Sequence, residues 1–197
     1  GFVEFPGREW TNGYVKAEVS GVRLHDEAWR PIWGERALVR DHYRGASIIF
    51  RRPAPLANLE LEVRAYDAGV AFRYVVREDG EKKSIKIEKE ETEFSFKGDY
   101  KTWAVYSAQG KYSKVKLSEL RSSIERPCVL ETDDDKVIAI AEAALVDYAR
   151  MRLRRSERSS RTLVSRLHGP VIARLPLRTP WRVVMAADRP GELLENN

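Results

Sequence analysis

The 197 residues include a single cysteine, Cys128, so no internal disulfide can form and the redox compartment stays open. It follows Pro127 and leads into Val129-Leu130, which marks a buried, inert thiol at a strand start rather than a nucleophile. No apolar run approaches the ~20 residues that a membrane-crossing helix needs, so no membrane partner is expected. Gly1 opens straight into Phe2-Val3-Glu4-Phe5 without a signal peptide, and both ends read as cut. Nucleophile-elbow, phosphate-cradling and zinc signatures are missing. His25, His42 and His168 stand far apart, in no metal-ligand spacing. Long helical patterns, internal repeats and low-complexity linkers are also lacking, which predicts one domain over residues 1–197.

What is present suits a folded domain with a very polar surface. Hydrophobic residues make up 43% of the chain and charged residues 33%, which excludes disorder by composition. Thirty-five Lys and Arg against thirty Asp and Glu leave +5, too mild an excess to define a partner. Period-two alternation dominates. Residues 47–51, 59–66 and 70–77 read as half-buried strands, and Asp67-Ala68-Gly69 joins the last two into a hairpin with Gly69 free to take a positive φ. Further strands are predicted at 84–88, 92–96, 101–106, 127–132, 136–141, 151–153, 161–166, 171–175 and 181–187. Only 142–149 could wind briefly, and its place between two strand patterns favours a turn. The expected fold is all-β, a large antiparallel sandwich.

Three constellations carry possible chemistry. Seven arginines lie between Arg150 and Arg166, and Arg150, Arg152 and Arg154 alternate with Met151 and Leu153. That pattern fits a strand with guanidinium groups outward: a solvated face, a docking face, or a nucleic-acid strip without aromatics to stack on bases. The five tryptophans are Trp10, Trp29, Trp33, Trp103 and Trp181. Burial in a sandwich core is the commoner fate of an indole, and stacking on a sugar ring the functional alternative. In Trp29-Arg30-Pro31-Ile32-Trp33-Gly34-Glu35 a proline and a glycine pin two indoles in one loop, which makes Trp29, Trp33 and Glu35 candidates for a substrate or interface role. Carboxylates are plentiful, yet nothing selects the pair that glycoside hydrolysis needs.

Four stretches, in this order and spacing, resemble the N-terminal domain of glycoside hydrolase family 97, the α-glucosidase and α-galactosidase group of bacteria. They are 26–35 running on to Arg40-Asp41-His42-Tyr43; 64–74, Arg-Ala-Tyr-Asp-Ala-Gly-Val-Ala-Phe-Arg-Tyr; 141–148, with Met151 beyond; and 179–188, continuing through 191–197. The resemblance implies a sandwich of the galactose-mutarotase type, followed past Asn197 by a (β/α)₈ barrel that holds the catalytic carboxylates. It implies that the sandwich packs on the barrel, closes one side of the active site and gives a glutamate, Glu142 by motif, to a calcium ion completed by the barrel. Calcium takes six to eight oxygens, so one glutamate would not hold it alone. An oligosaccharide or α-glycoside substrate and a periplasmic or secreted location are likewise implied, and no nucleic acid. The family domain usually begins with further strands, so an unpaired sheet edge is expected near Gly1-Phe2. Two other classes stand beside this one: a stand-alone carbohydrate-binding module using exposed tryptophans, and a basic nucleic-acid-binding domain using 150–166.

Overall fold

The computed structural model describes residues 2–4, 8–9, 13–53, 58–77 and 83–195. Trp10, Gly1 and the closing Asn196-Asn197 lie outside the described residues. The strands are Phe2–Glu4 (β1), Arg8–Glu9 (β2), Lys16–Val19 (β3), Arg23–Trp29 (β4), Val39–Arg51 (β5), Leu59–Tyr66 (β6), Gly69–Val76 (β7), Ser84–Glu90 (β8) and Glu93–Ser95 (β9). They continue with Lys101–Ala104 (β10), Ser113–Lys116 (β11), Cys128–Glu131 (β12), Val137–Ala143 (β13), Met151–Arg155 (β14), Thr162–Leu167 (β15), Val171–Arg174 (β16), Leu177–Arg178 (β17) and Trp181–Ala187 (β18). Every pairing among the described residues is antiparallel.

The first layer is an eleven-stranded sheet in the order β11-β10-β12-β13-β18-β7-β6-β5-β3, with β17 on β7 and β4 on β5. Strands β3 and β4 form one edge along β5, broken at Ser20-Gly21-Val22. There Ser20 N–H donates to Ser47 O and Ser47 N–H to Ser20 Oγ, both at 2.9 Å, so the ladder's polar groups stay paired across the break. The second layer contains the sheet β16-β8-β1-β2 and the sheet β14-β15-β9. These two are continuous along one ribbon, because β15–β16 runs back along β8–β9 with a register shift of one residue. There the extra residue is on the β15–β16 side, whereas against β1 it is on β8: Val3 pairs with Lys89 but Glu4 with Ile87. Such a bulge reverses which side chains face inward. Ile85 and Ile87 are buried before it, and Glu90, Thr92 and Phe94 after it.

Between the layers lie two apolar clusters. One gathers Leu59, Val76, Ile85, Ile87, Leu167 and Val171; the other Phe94, Leu117, Ile124, Cys128, Leu130, Ile140, Met151, Leu153 and Leu163. Each buried aliphatic side chain contributes about 1.5–3 kcal/mol relative to exposure. Cys128 belongs here, and burial pushes its thiol up to about 12, as an inert cysteine requires.

Most expected strands are present, with differences that have local causes. Val137–Ala143 runs past Ala141 and carries Glu142 inside a strand instead of at its end. The turn expected after it is present, with Ala144 and Asp147 at φ 54° and 48°, and it does not wind. The one α-helix among the described residues is Pro190–Glu195 (α1), where Pro190 suits a first turn and Glu192 accepts from Asp188 N–H at 3.0 Å. No helix among the described residues is long and apolar enough to cross a membrane. The tryptophans divide: Trp181 is buried, though in neither apolar cluster, while Trp29, Trp33 and Trp103 are exposed, against the burial expected as the commoner fate.

Gly69 closes the β6–β7 hairpin, and space explains its identity better than turn conformation. A Cβ there would stand 2.2 Å from Val184 O and 2.8 Å from Met185 Cα on neighbouring β18. Gly69→Ala is therefore expected to destabilise the fold by about 1–3 kcal/mol, as overpacking does. Urea unfolding measures this; an unchanged midpoint would show that β18 yields freely.

Candidate functional site

Polar chemistry concentrates in three places: a buried ionic layer between the apolar clusters, a groove on the outer face of the large sheet, and the loop after β4. The ionic layer is built on Arg182. Strand β18 turns Trp181 and Val183 outward and Arg182 inward, where the guanidinium is 0% exposed. Its Nε and Nη2 donate to the two oxygens of Glu90, at 2.7 and 2.6 Å, and Nη1 donates to Glu142 Oε2 at 2.6 Å. Glu90 also accepts from Tyr148 Oη at 3.0 Å and Thr92 Oγ1 at 3.1 Å. Ser165 Oγ fastens the backbone there, donating to Glu90 O and accepting from Thr92 N–H, both at 2.8 Å.

Burial opposes the charge on Arg182, but Glu90, by charge and hydrogen bond, and then Glu142 outweigh it and hold its pKa above the ordinary value. Burial, followed by the charge of Glu90, raises Tyr148 well above the ordinary phenol range, so it remains a donor.

Glu142 sits where this layer meets the surface, with its side chain 2% exposed. Besides Arg182, its Oε1 pairs with Arg126 Nε at 2.5 Å, and Met151 N–H lies 3.2 Å from both oxygens. The chain of charges continues to Glu125, flanked by Arg126, Arg150 and Arg152 at 3.5, 3.3 and 3.2 Å. Carboxylates and guanidinium groups thus alternate from the core to the end of the sandwich.

On the outer face, a groove of about 600 Å³ has a floor of Ala71, Ala141, Val183 and Met185 and a rim that includes Arg40, His42, Arg64 and Tyr66. Trp181 lies in it, but Arg64 and Arg73 cover it at 4.4 and 4.3 Å from guanidinium carbon to ring centre. An indole flanked by two cations is already engaged and does not offer a free stacking face. Arg64 also stands 4.3 Å over Tyr43, which stacks on His25 at 4.7 Å. Tyr66 Oη donates to Asp41 at 3.0 Å, and Asp41 Oδ2 lies 3.5 Å from both Arg64 and His25.

Trp29, Trp33 and Glu35 are all exposed, but only Trp33 and Glu35 lie in the loop after β4, since Trp29 closes that strand paired with Val39; Trp33 is 84% exposed and Ile32 92%. Pairing registers separate this loop from Glu142. From the row Arg44–Ala65–Val70–Val184–Ile140, Val39, paired with Trp29, lies five residues one way and Glu142 two residues the other. The sequence candidates therefore lie seven residues apart along the strand direction of one sheet.

Of the seven arginines between 150 and 166, five are bonded within the chain. Arg150 joins Glu125, and Arg152 donates to Tyr106 O and Ser123 O at 2.8 and 2.7 Å. Arg154 faces Glu91 and Glu157, Arg161 donates to Lys97 O at 2.8 Å, and Arg166 to Ser123 Oγ at 3.5 Å. Met151 and Leu153 point inward as expected. Among the described residues, no three of His, Cys, Asp and Glu group as a metal site. Sequence reading missed Glu90, Arg126 and Arg182. The only signal for Arg182 was its place between two strong strand residues, and the β8 bulge concealed Glu90.

Fold and site together define a large antiparallel β-sandwich tied by an internal ion network. Such sandwiches occur in glycoside hydrolases, and comparison with known proteins agrees. The family model described as glycosyl-hydrolase 97 N-terminal matches residues 4–197, so the chain belongs to the glycoside hydrolase family 97 N-terminal domain family. It is similar to a glycoside hydrolase family 97 enzyme of Pseudoalteromonas sp. strain K8, solved in complex with acarbose. Identity there is 26%, with a TM-score of 0.85, over 96% of this chain and 30% of that one. The E480Q form of the same enzyme with panose gives 26% identity and a TM-score of 0.87, over 98% of this chain and 31% of that one. A retaining α-galactosidase of Bacteroides thetaiotaomicron is 27% identical over 149 residues, 67% of this chain and 21% of that protein. The chain thus spans between a fifth and a third of the relatives it matches.

The ion network predicts a sharp mutational response. Arg182→Met would leave Glu90 buried without its countercharge and Glu142 with Arg126 alone, and stability should fall by about 3–5 kcal/mol. Chemical unfolding against Trp33→Ala, expected within about 0.5 kcal/mol of the parent, checks this; equal effects would contradict it.

Proposed function

We propose that this chain is the non-catalytic N-terminal domain of a longer α-glycosidase, packing on the (β/α)₈ barrel of the same polypeptide and forming part of its active-site wall. The observation that carries this reading is the state of the acidic groups at the groove. Asp67 and Glu142 are its acidic lining residues, and Glu142 is spent on Arg126, Arg182 and Met151 N–H. Glycoside hydrolysis needs two available carboxylates facing one bond. Membership of the family and the threefold greater length of its solved relatives point the same way. Relatives solved with acarbose and panose, and one named as an α-galactosidase, favour α-glucosides or α-galactosides as substrates of the whole enzyme. A periplasmic or secreted location is proposed on family resemblance alone.

The calcium ion implied by the resemblance does not fit this chain's residues by themselves. Calcium needs six to eight oxygens, and here one candidate carboxylate has guanidinium groups on both oxygens. A calcium role for Glu142 is therefore proposed only for the longer enzyme, whose remaining segments would supply the other oxygens and displace Arg126 from Oε1. What this chain does is hold the carboxylate: Arg182 and Met151 N–H fix it one residue before the end of β13.

Both parts are tested by titrating calcium against thermal unfolding, in the 197-residue chain and in the longer enzyme with and without Glu142→Gln. The expected results are no shift in the chain, a stabilising shift in the enzyme, and a shift weakened at least tenfold in midpoint concentration by the substitution. An unweakened shift would remove Glu142 from the calcium site and leave the domain assignment standing.

A further inference from the structure

An exposed apolar stretch runs from the end of β4 to the start of β5, where Trp29, Ile32, Trp33 and Leu38 are all exposed. Isolated exposed apolar residues are ordinary, but four of them within residues 29–38 mark a surface that another body covers. Of the neighbouring charges, Arg40 holds Asp26 through two bonds of 2.7 and 2.6 Å. The isoleucine and the indole are the most exposed apolar groups of the loop.

One contact identifies the occupant. Arg36, in this loop, donates from Nη2 to Glu195 O at 2.7 Å, joining residues 159 apart at the last turn of α1. Leu194, 75% exposed, is on the same short helix. Residue 195 is therefore held against the loop that carries Ile32 and Trp33, and the solved relatives are about three times as long as this chain.

We propose that the loop of residues 30–38, with Leu194, is the seat of the domain that follows in the chain, and that Ile32 and Trp33 are its anchors. Arg36 acts as the clasp that sets the exit direction of the chain toward them. This inference rests on the reading above that a catalytic domain packs on the sandwich. It adds that the coupling is made at the loop held to residue 195, seven residues from Glu142 along the strand direction. Two separated attachments, one at Glu142 and one at Trp33, would fix the orientation of the sandwich where a single one would leave a hinge. The exposed indole then serves as a structural contact and not as a sugar platform.

The test uses the longer enzyme, with the pair Ile32→Ser and Trp33→Ser and, as a control, Ile172→Ser. Ile172 is 77% exposed but lies on β16 in the other layer. Calorimetry and limited trypsin digestion report whether the sandwich and the following domain unfold together. The proposal expects one shared transition in the parent and the control. In the pair variant it expects two transitions and cleavage just past residue 197 faster by on the order of tenfold or more. A shared transition retained in the pair variant would overturn the seat while leaving the packing of the domains intact. Two independent transitions already in the parent would overturn both. A shared transition combined with loss of a tryptophan fluorescence response to maltooligosaccharides would make the loop a sugar-binding surface and overturn the seat.

Discussion

A guanidinium group in a protein interior is tolerated where each donor meets an acceptor and the charge is matched. Arg182 satisfies this with all three nitrogens, two on Glu90 and one on Glu142. Glu90 belongs to the second layer and Glu142 to the first, so the arginine ties the sheets together in the interval between the two apolar clusters. Hydrophobic packing on either side excludes water from the pairs and strengthens them, while the pairs restrict how the sheets can slide. A one-residue slip of β18 would turn Trp181 into the core and Arg182 out of it. The network thus specifies register as well as contributing contact energy.

The same constraint explains what the amino-acid sequence could reveal. Alternation in 59–66, 70–77 and 181–187 is regular, and those strands and the hairpin at 67–69 were legible from it. Alternation also invites a wrong inference about direction. In Trp181-Arg182-Val183 the large indole is the natural core candidate, yet it faces out under Arg64 and Arg73 while the arginine faces in. On β8 the bulge beside Glu4 changes the inward set from Ile85 and Ile87 to Glu90, which no period-two pattern can anticipate. The edge formed by β3 and β4, and the first half of β5, were not expected from the sequence because their exposed faces carry as many apolar as polar residues. Glu142 was legible only through family resemblance; its arginine partners were not, because they lie 16 and 40 positions away.

For function, the arrangement separates holding from reacting. The carboxylates with the deepest placement, Glu90 and Glu142, are held by arginines and hydrogen bonds within the fold. The outer groove offers an apolar floor and a cationic rim, and the apolar loop lies where the chain leaves the fold. These features suit a body that positions another. The match of sequence and fold to the family covers nearly the whole chain while accounting for about a third of the solved relatives, and the proposal is that the other body is a glycosidase domain.

The central claim is that the chemistry belongs to a different part of the polypeptide. It is tested most directly by assaying the 197-residue chain alone on chromogenic α-glucosides and α-galactosides, first with calcium and then with a chelator. The account predicts no turnover in either condition. Calcium-dependent turnover in a clean preparation, abolished by replacing a carboxylate of this chain, would contradict it and place an active site within the sandwich.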